Sequence, residues 1–293
     1  MDSFSAVLPE ITKIKPVWNG ENFILGDEKV AVLQYSSNLS GWNDELTFFH
    51  EDLAGDDHFI DRASRNLAIG ALKNQLKGKK NPIILEIGCS SGYFLKELKD
   101  AFPDATVVGA DIVTEPLMAL SKHLPGTPLL QFDLLDCPLL DSTIDAVVML
   151  NVLEHIENDE KALAQVFRIL KPNGVLVAEV PAGPHLYDIY DKQLLHYRRY
   201  SSNELITKAQ NQNFKIIKSS HLGFLLYPGF FYVKNKNKKL NQLSDKAQKE
   251  IVEKSIQSTH SNPILKFLMK LELFFYRFIR YPFGIRCTLV CQK

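Results

Sequence analysis

Glu86, Gly88 and Gly92 stand in the order E-x-G-x-x-x-G, where the apolar run Ile83 to Ile87 gives way to Phe94, Leu95, Leu98 and Phe102 at helical spacing. That pattern is a buried strand, a glycine turn and a helix whose N-terminus faces whatever lies above the strand. Glu86 is the informative member. A carboxylate beside a glycine turn suits a ligand that carries its own cation and does not suit a pyrophosphate. The dinucleotide fingerprint needs a glycine where Ser90 stands, and a phosphate loop needs a lysine where Tyr93 stands. Downstream, Asp111, Asp133 and Asn151 each close an apolar run, and His155 and His196 follow. A neutral imidazole can take a proton near pH 7, because its unperturbed pKa is about 6.5.

Such residues work only if a frame gathers them. Thr106 to Ala110, Leu129 to Phe132, Ile144 to Leu150 and Gly174 to Val180 read as strands. Pro116 to His123 and Asp159 to Leu170 read as helices, the second stopped by the turn Lys171-Pro-Asn-Gly174. Residues 59–77 place Ile60, Ala63, Leu67, Ala71 and Leu76 near helical spacing, a helix ahead of the first strand. Ser201-x-x-Glu204 reads as a capping box opening a helix through Gln212, and Phe214 to Ser220 as a strand. Regular alternation implies a parallel sheet with right-handed crossovers and a ligand crevice at the strands' carboxyl ends.

From about Leu76 to Val180 the chain resembles class I S-adenosylmethionine-dependent methyltransferases, on E-x-G-x-x-x-G, Asp111, Asp133 and Asn151-Val-Leu-Glu-His155 taken in order. The resemblance implies an α/β fold: a seven-stranded, mostly parallel Rossmann-like sheet with helices on both faces and the last strand antiparallel. It implies S-adenosyl-L-methionine as cofactor, held by Glu86, Gly88, Cys89, Gly92, Asp111, Ile112, Asp133, Leu134 and Asn151. In that family the glycines admit the amino-acid end, the acid after the second strand takes the ribose hydroxyls, and the next acid meets the adenine. After the fifth strand, Asp191-x-x-x-x-His196-x-Arg198-Arg199-Tyr200 is similar to a bacterial subset associated with polysaccharide or lipid-linked glycan modification. The expected reaction is therefore methyl transfer, O-methylation of a small glycan, lipid-linked or other small-molecule acceptor. Methylation of protein or RNA, or a non-catalytic cofactor-binding scaffold at a membrane surface, are the alternatives. His155 and His196 are the candidate bases, with a loop-orienting role open for His155. Tyr187, Tyr190, Arg198, Arg199 and Tyr200 are the candidate acceptor-binding residues. Two arginines suit a phosphate or carboxylate, and equally suit a clamp on an acid of the core. No metal is assigned: relatives that bind one carry E-x-x-E-H here, and this chain has Asn151 in place of the first acid.

The remaining sequence divides into 1–58 as an N-terminal extension, 59–220 as the core, 221–284 as an aromatic and basic helical insertion, and 285–293 as the final strand. The first 35 residues suit a small β element, and Ser40 to His50 with Asp56 to His58, rich in acids, histidines and aromatics, suit either a lid or a surface helix. With 34 basic and 34 acidic residues the chain has no net charge to draw it onto nucleic acid, so none is expected as a partner. Cys89, Cys137, Cys287 and Cys291 form no C-x-x-C pair and read as reduced thiols. Met1 to Ser5 carries neither a basic region nor an apolar core, so a cytoplasmic protein is expected. Leu222 to Val233 is too short to span a bilayer, which needs about 20 apolar residues. The stretches 222–239 and 263–281 combine aromatics with lysines and arginines, a composition that suits peripheral contact at an inner membrane surface or docking on the protein's own core.

Overall fold

The computed structural model describes residues 4–36, 58–238, 240, 242–260, 262–276 and 278–293, with backbone only for 253 and 255–260. The expected lid segment lies outside the described residues, His58 excepted. The small β element of the first 35 residues is an antiparallel sheet of β1 (Val17–Trp18), β2 (Phe23–Leu25) and β3 (Glu28–Val30). Next come β4 (Val32–Gln34), α1 (Phe59–Gln75), β5 (Ile83–Ile87), α2 (Tyr93–Ala101), β6 (Thr106–Asp111) and α3 (Thr114–His123). The alternation continues through β7 (Leu129–Gln131), β8 (Ile144–Leu150), α4 (Asp159–Ile169) and β9 (Leu170–Pro181). α5 (Ile189–Gln193) and α6 (Ser202–Asn211) lead to β10 (Lys215–Leu222). α7 (Tyr227–Lys238), α8 (Asp245–His260) and α9 (Pro263–Phe275) then precede β11 (Arg286–Gln292).

The main sheet runs β10-β11-β9-β8-β5-β6-β7-β4. β11 is antiparallel to both its neighbours, and the other pairings are parallel. The expected fold class holds, with eight strands instead of seven. The extra one is β4, whose Val32, Leu33 and Gln34 lie beside Leu129, Leu130 and Gln131 at the far edge. Three residues carry no local periodicity, so only the distant partner makes them a strand. Two boundaries also differ. β9 starts at Leu170, because the expected turn at 171–174 is taken up as an irregularity in the pairing with β8. α9 ends at Phe275, not near 281, since the chain turns to bury Tyr276 and Tyr281, whose N–H donates to Ser220 Oγ at 3.0 Å.

Alternation along β5 sends Ile83, Leu85 and Ile87 into the core under α4 and α6, and Ile84 into the core under α1, α2 and α3. Fully burying each such side chain contributes roughly 1.5–3 kcal/mol, so both faces hold the sheet flat against its helices. The chain order reverses between β5 and β8, which opens a crevice at their carboxyl ends.

Candidate active site

The glycine turn after β5 is closed by its own backbone. Gly88 and Cys89 N–H both donate to Ala110 O at 2.8 and 3.1 Å, and Gly92 N–H donates to Cys89 O at 2.8 Å. Gly88 adopts φ +76°, and a Cβ there would sit 2.6 Å from Val152 Cγ2. Gly92, at φ +78°, would meet Leu120 Cδ1 at 2.4 Å. Asp111 pins the turn to β6: one carboxylate oxygen accepts from Ser90 N–H at 3.0 Å, the other from Val113 N–H at 3.1 Å. Asp133 accepts from Leu135 N–H at 2.8 Å and caps a short turn of helix.

Above these strand ends lies a cavity of about 850 Å³. Glu86, Gly88, Cys89, Asp111, Ile112, Asp133, Leu134 and Asn151 all line it. Gly92 does not, and its close approach to Leu120 gives it a packing role behind the turn. Glu86 is buried, and one of its carboxylate oxygens has no hydrogen-bond partner among the described residues. Burial, then the nearby Asp111 charge, pushes its carboxyl well above the usual carboxylate range. A buried acid in that condition calls for a cation from the ligand.

At the other end of the cavity stand His155, His196, Tyr190 and Arg199. His196 Nδ1 lies 2.9 Å from Asp191 Oδ1, which also accepts from Arg199 Nε at 2.7 Å. Asp191 Oδ2 accepts from Lys234 Nζ at 3.1 Å, and Lys234 reaches Asp188 Oδ1 at 2.6 Å. Burial alone would raise Asp191. The His196 hydrogen bond and the Lys234 and Arg199 charges overrule it and hold the carboxyl far below its ordinary value. Burial lowers His196. The pair is therefore a carboxylate and a neutral imidazole, with the proton on Nδ1 and the lone pair on Nε2.

Tyr187, Arg198 and Tyr200, expected on the acceptor, do not line the cavity. Arg198 Nη1 donates to Asp159 Oδ2 at 2.9 Å and its Nη2 to Glu157 O at 2.7 Å. Tyr200, fully buried, donates to the same Asp159 oxygen at 2.7 Å. Both clamp the loop to α4, because a buried Asp159 needs charge and hydrogen bonds around it. Tyr187 donates to His196 O at 2.7 Å and so holds the histidine's backbone. Arg199 faces the cavity, but its charge is spent on Asp191 and its Nη1 on Ala182 O at 2.9 Å.

Two cavity residues escaped the sequence reading. Lys234, only 4% exposed, lies in the stretch 222–239 whose composition suited membrane contact or docking on the core, and was not singled out as a cavity residue. Pro228 and Gly229 sit in the first turn of α7 and open it, which puts Phe230 and Lys234 one turn apart on its cavity-facing side. Glu154 is fully buried, and neither carboxylate oxygen has a partner among the described residues. Burial pushes its pKa up to about 8. Glu154, His155 and His196 each offer an atom within 4.8 Å of the others, a set that could hold a metal ion. Asn151 lines the cavity just beyond β8 and is not part of that set, whose third member is His196 from the loop after α5.

Residues 85–178 match the family described as a methyltransferase domain. A probable S-adenosylmethionine-dependent methyltransferase of Mycolicibacterium smegmatis is 26% identical over 135 residues, covering 45% of this chain and 52% of that one. The malonyl-acyl-carrier-protein O-methyltransferase of Halalkalibacterium halodurans is 28% identical over 114 residues, 37% and 42% of the two chains. The chain thus spans about half the length of the curated relatives it matches. Phosphoethanolamine N-methyltransferase 2 of Haemonchus contortus, solved with phosphomonomethylethanolamine and S-adenosylhomocysteine, superposes with a TM-score of 0.55 at 17% identity, covering 84% of this chain and 56% of that one. At that identity the likeness shows the fold. Residues 85–178 therefore form an S-adenosylmethionine-dependent methyltransferase domain, with S-adenosylmethionine as its cofactor.

Proposed function

We propose that the protein is an O-methyltransferase whose acceptor is a hydroxyl on a small glycan or lipid-linked molecule. The observation that carries this reading is the Asp191–His196 pair at the cavity wall, with Nδ1 committed to the carboxylate. The cofactor, when bound, supplies a methyl carbon on a sulfonium. The orphaned Glu86 oxygen and the cradle over Gly88, which a Cβ would fill, fit such a cationic ligand. Asp111 and Asp133, fixed by backbone N–H groups beside the cavity, suit a ligand that brings hydroxyl and amine donors, which supports this reading. The turn's rigidity supplies alignment, the main need of an in-line displacement. His196 Nε2 would take the acceptor hydroxyl's proton as that oxygen gains the methyl group, which the cofactor would supply with release of a neutral thioether. Asp191 is a positioning residue that keeps Nε2 free for that proton.

The test is transfer of a labelled methyl group into an extract, sorted into polar, lipid and polymer fractions. Label is expected in the lipid or glycan fraction, and His196→Ala is expected to lower kcat by about 10²–10³-fold with KM little changed. Label in protein or RNA would overturn the acceptor class, and no label at all would favour a scaffold. A second reading has its own observation, the convergence of Glu154, His155 and His196. A divalent cation there would acidify the hydroxyl in place of the base. Loss of activity in a chelator, restored by magnesium, selects the cation; unchanged activity selects the histidine.

A further inference from the structure

The helix α9 is apolar on two sides. Leu265, Leu268, Met269 and Leu273 pack inward with Ile60, Ala63, Leu222 and Leu226. A helix that docks only on its own domain needs one such stripe. On the outward side Phe267 and Phe274 are each 64% exposed and Ile264 67%, and Phe278 just beyond the helix is 78% exposed. With the exposed Leu271 between them, these residues recur every three or four positions, and the Phe274 and Phe278 rings lie 6.5 Å apart, so they form one ridge. Isolated exposed apolar residues are ordinary, whereas a contiguous aromatic ridge marks a contact surface.

The charged residues along that stretch of chain are nearly all of one sign. Residues 262–283 contain four cations, Lys266, Lys270, Arg277 and Arg280, and a single acid, Glu272. Glu272 is fully buried, with its carboxylate oxygens accepting from Gly223 N–H at 2.6 Å and Leu225 N–H at 3.0 Å. Lys270 and Arg280 are exposed. A second copy of this face would oppose cations to cations. An anionic lipid surface meets both features, taking the rings at headgroup depth and the lysines and arginines at the phosphates. Among the described residues no helix is long and apolar enough to cross a membrane, so the contact is interfacial.

The same insertion builds the cavity wall. Phe230 and Lys234 of α7 line the cavity, while Phe231 and Tyr232 of that helix are exposed. Tyr227 joins the two regions, its ring 6.0 Å from Phe231 and 5.0 Å from the exposed Phe283. We propose that the outward face of α9 together with Phe278 and Phe283 docks on an anionic lipid surface and sets α7, and with it the acceptor end of the cavity, beside the bilayer. Docking stands independently of methyl transfer, since it needs neither cofactor nor turnover.

The experiment is density-gradient flotation of the full chain with phosphatidylcholine vesicles that contain about a third phosphatidylglycerol. The chain should rise with these vesicles, less so as salt is added, and remain at the bottom with phosphatidylcholine alone. Phe267→Ser, Phe274→Ser and Phe278→Ser together should weaken binding by about tenfold or more. Lys270→Glu with Arg280→Glu, which leaves every ring in place, should do the same by removing the attraction to phosphate. A chain that stays at the bottom with anionic vesicles overturns the proposal, as does undiminished flotation of both variants. Dimerisation abolished by the serine variant, in a chain that ignores vesicles, would assign the face to a second copy and also overturn it.

Discussion

Asp111 and Asp191 both hold an ionisable carboxyl beside the cavity, and they are held in opposite ways. Asp111 accepts from the N–H groups of Ser90 and Val113, one in the adjoining glycine turn and one two residues along the chain. Asp191 accepts one backbone N–H, from Asp188 at 3.1 Å, and is otherwise held by three side chains, His196, Arg199 and Lys234, the last on α7. The glycine-turn end of the cavity is thus held by backbone geometry, and the Asp191 end mainly by a network of buried charge.

That contrast can be broken by substitution. Gly88→Arg brings a side chain into a left-handed position where Val152 already stands, and should weaken cofactor binding by at least about 100-fold in calorimetry. Asp191→Asn should leave cofactor affinity within about twofold yet cost about 3–5 kcal/mol in denaturant unfolding, because Arg199 and Lys234 lose their shared counter-charge. Equal loss of cofactor binding in both variants would mean that the two ends are one unit. Glu154 sharpens the comparison through pH. Its carboxyl is raised to about 8, so its contribution to stability is complete below the unfolded value near 4.5 and is lost as pH rises toward 8. The loss should reach at most about 1.4 kcal/mol per pH unit, and Glu154→Gln should flatten that slope in melts of the cofactor-free protein. Tyr187→Phe is the smallest expected effect: about 1 kcal/mol from one lost hydrogen bond to His196 O, with kcat lowered more than KM is raised.

The glycine-turn end was legible in the sequence because its parts are local. Strand, turn and helix follow one another at Ile83 to Leu98, and each acid sits at the end of its own apolar run. Gly92 shows the limit of that legibility, since its spacing matched a ligand contact while its space is filled by Leu120. The Asp191 end was legible only in part. Asp191, His196 and Arg199 were singled out, but not which cation neutralises which anion. Arg198 and Arg199 are adjacent in sequence and serve different acids, Asp159 and Asp191, because consecutive side chains leave the backbone in different directions. Lys234 could not be singled out, because only the helix Tyr227–Lys238 turns this member of a lysine-rich run into the protein.

β11 lies between β9 and β10 and antiparallel to both, so β10 has no partner in the sheet until residues 286–292 arrive. Arg286, the first residue of that strand, also ties Glu179 and Asp61 together at the cavity. During synthesis on the ribosome, therefore, the glycine turn and its strands can assemble while the insertion is still being made, but the pocket stays open on one side. The end of the cavity lined by the glycine turn is thus built before the end that α7 and Arg286 complete.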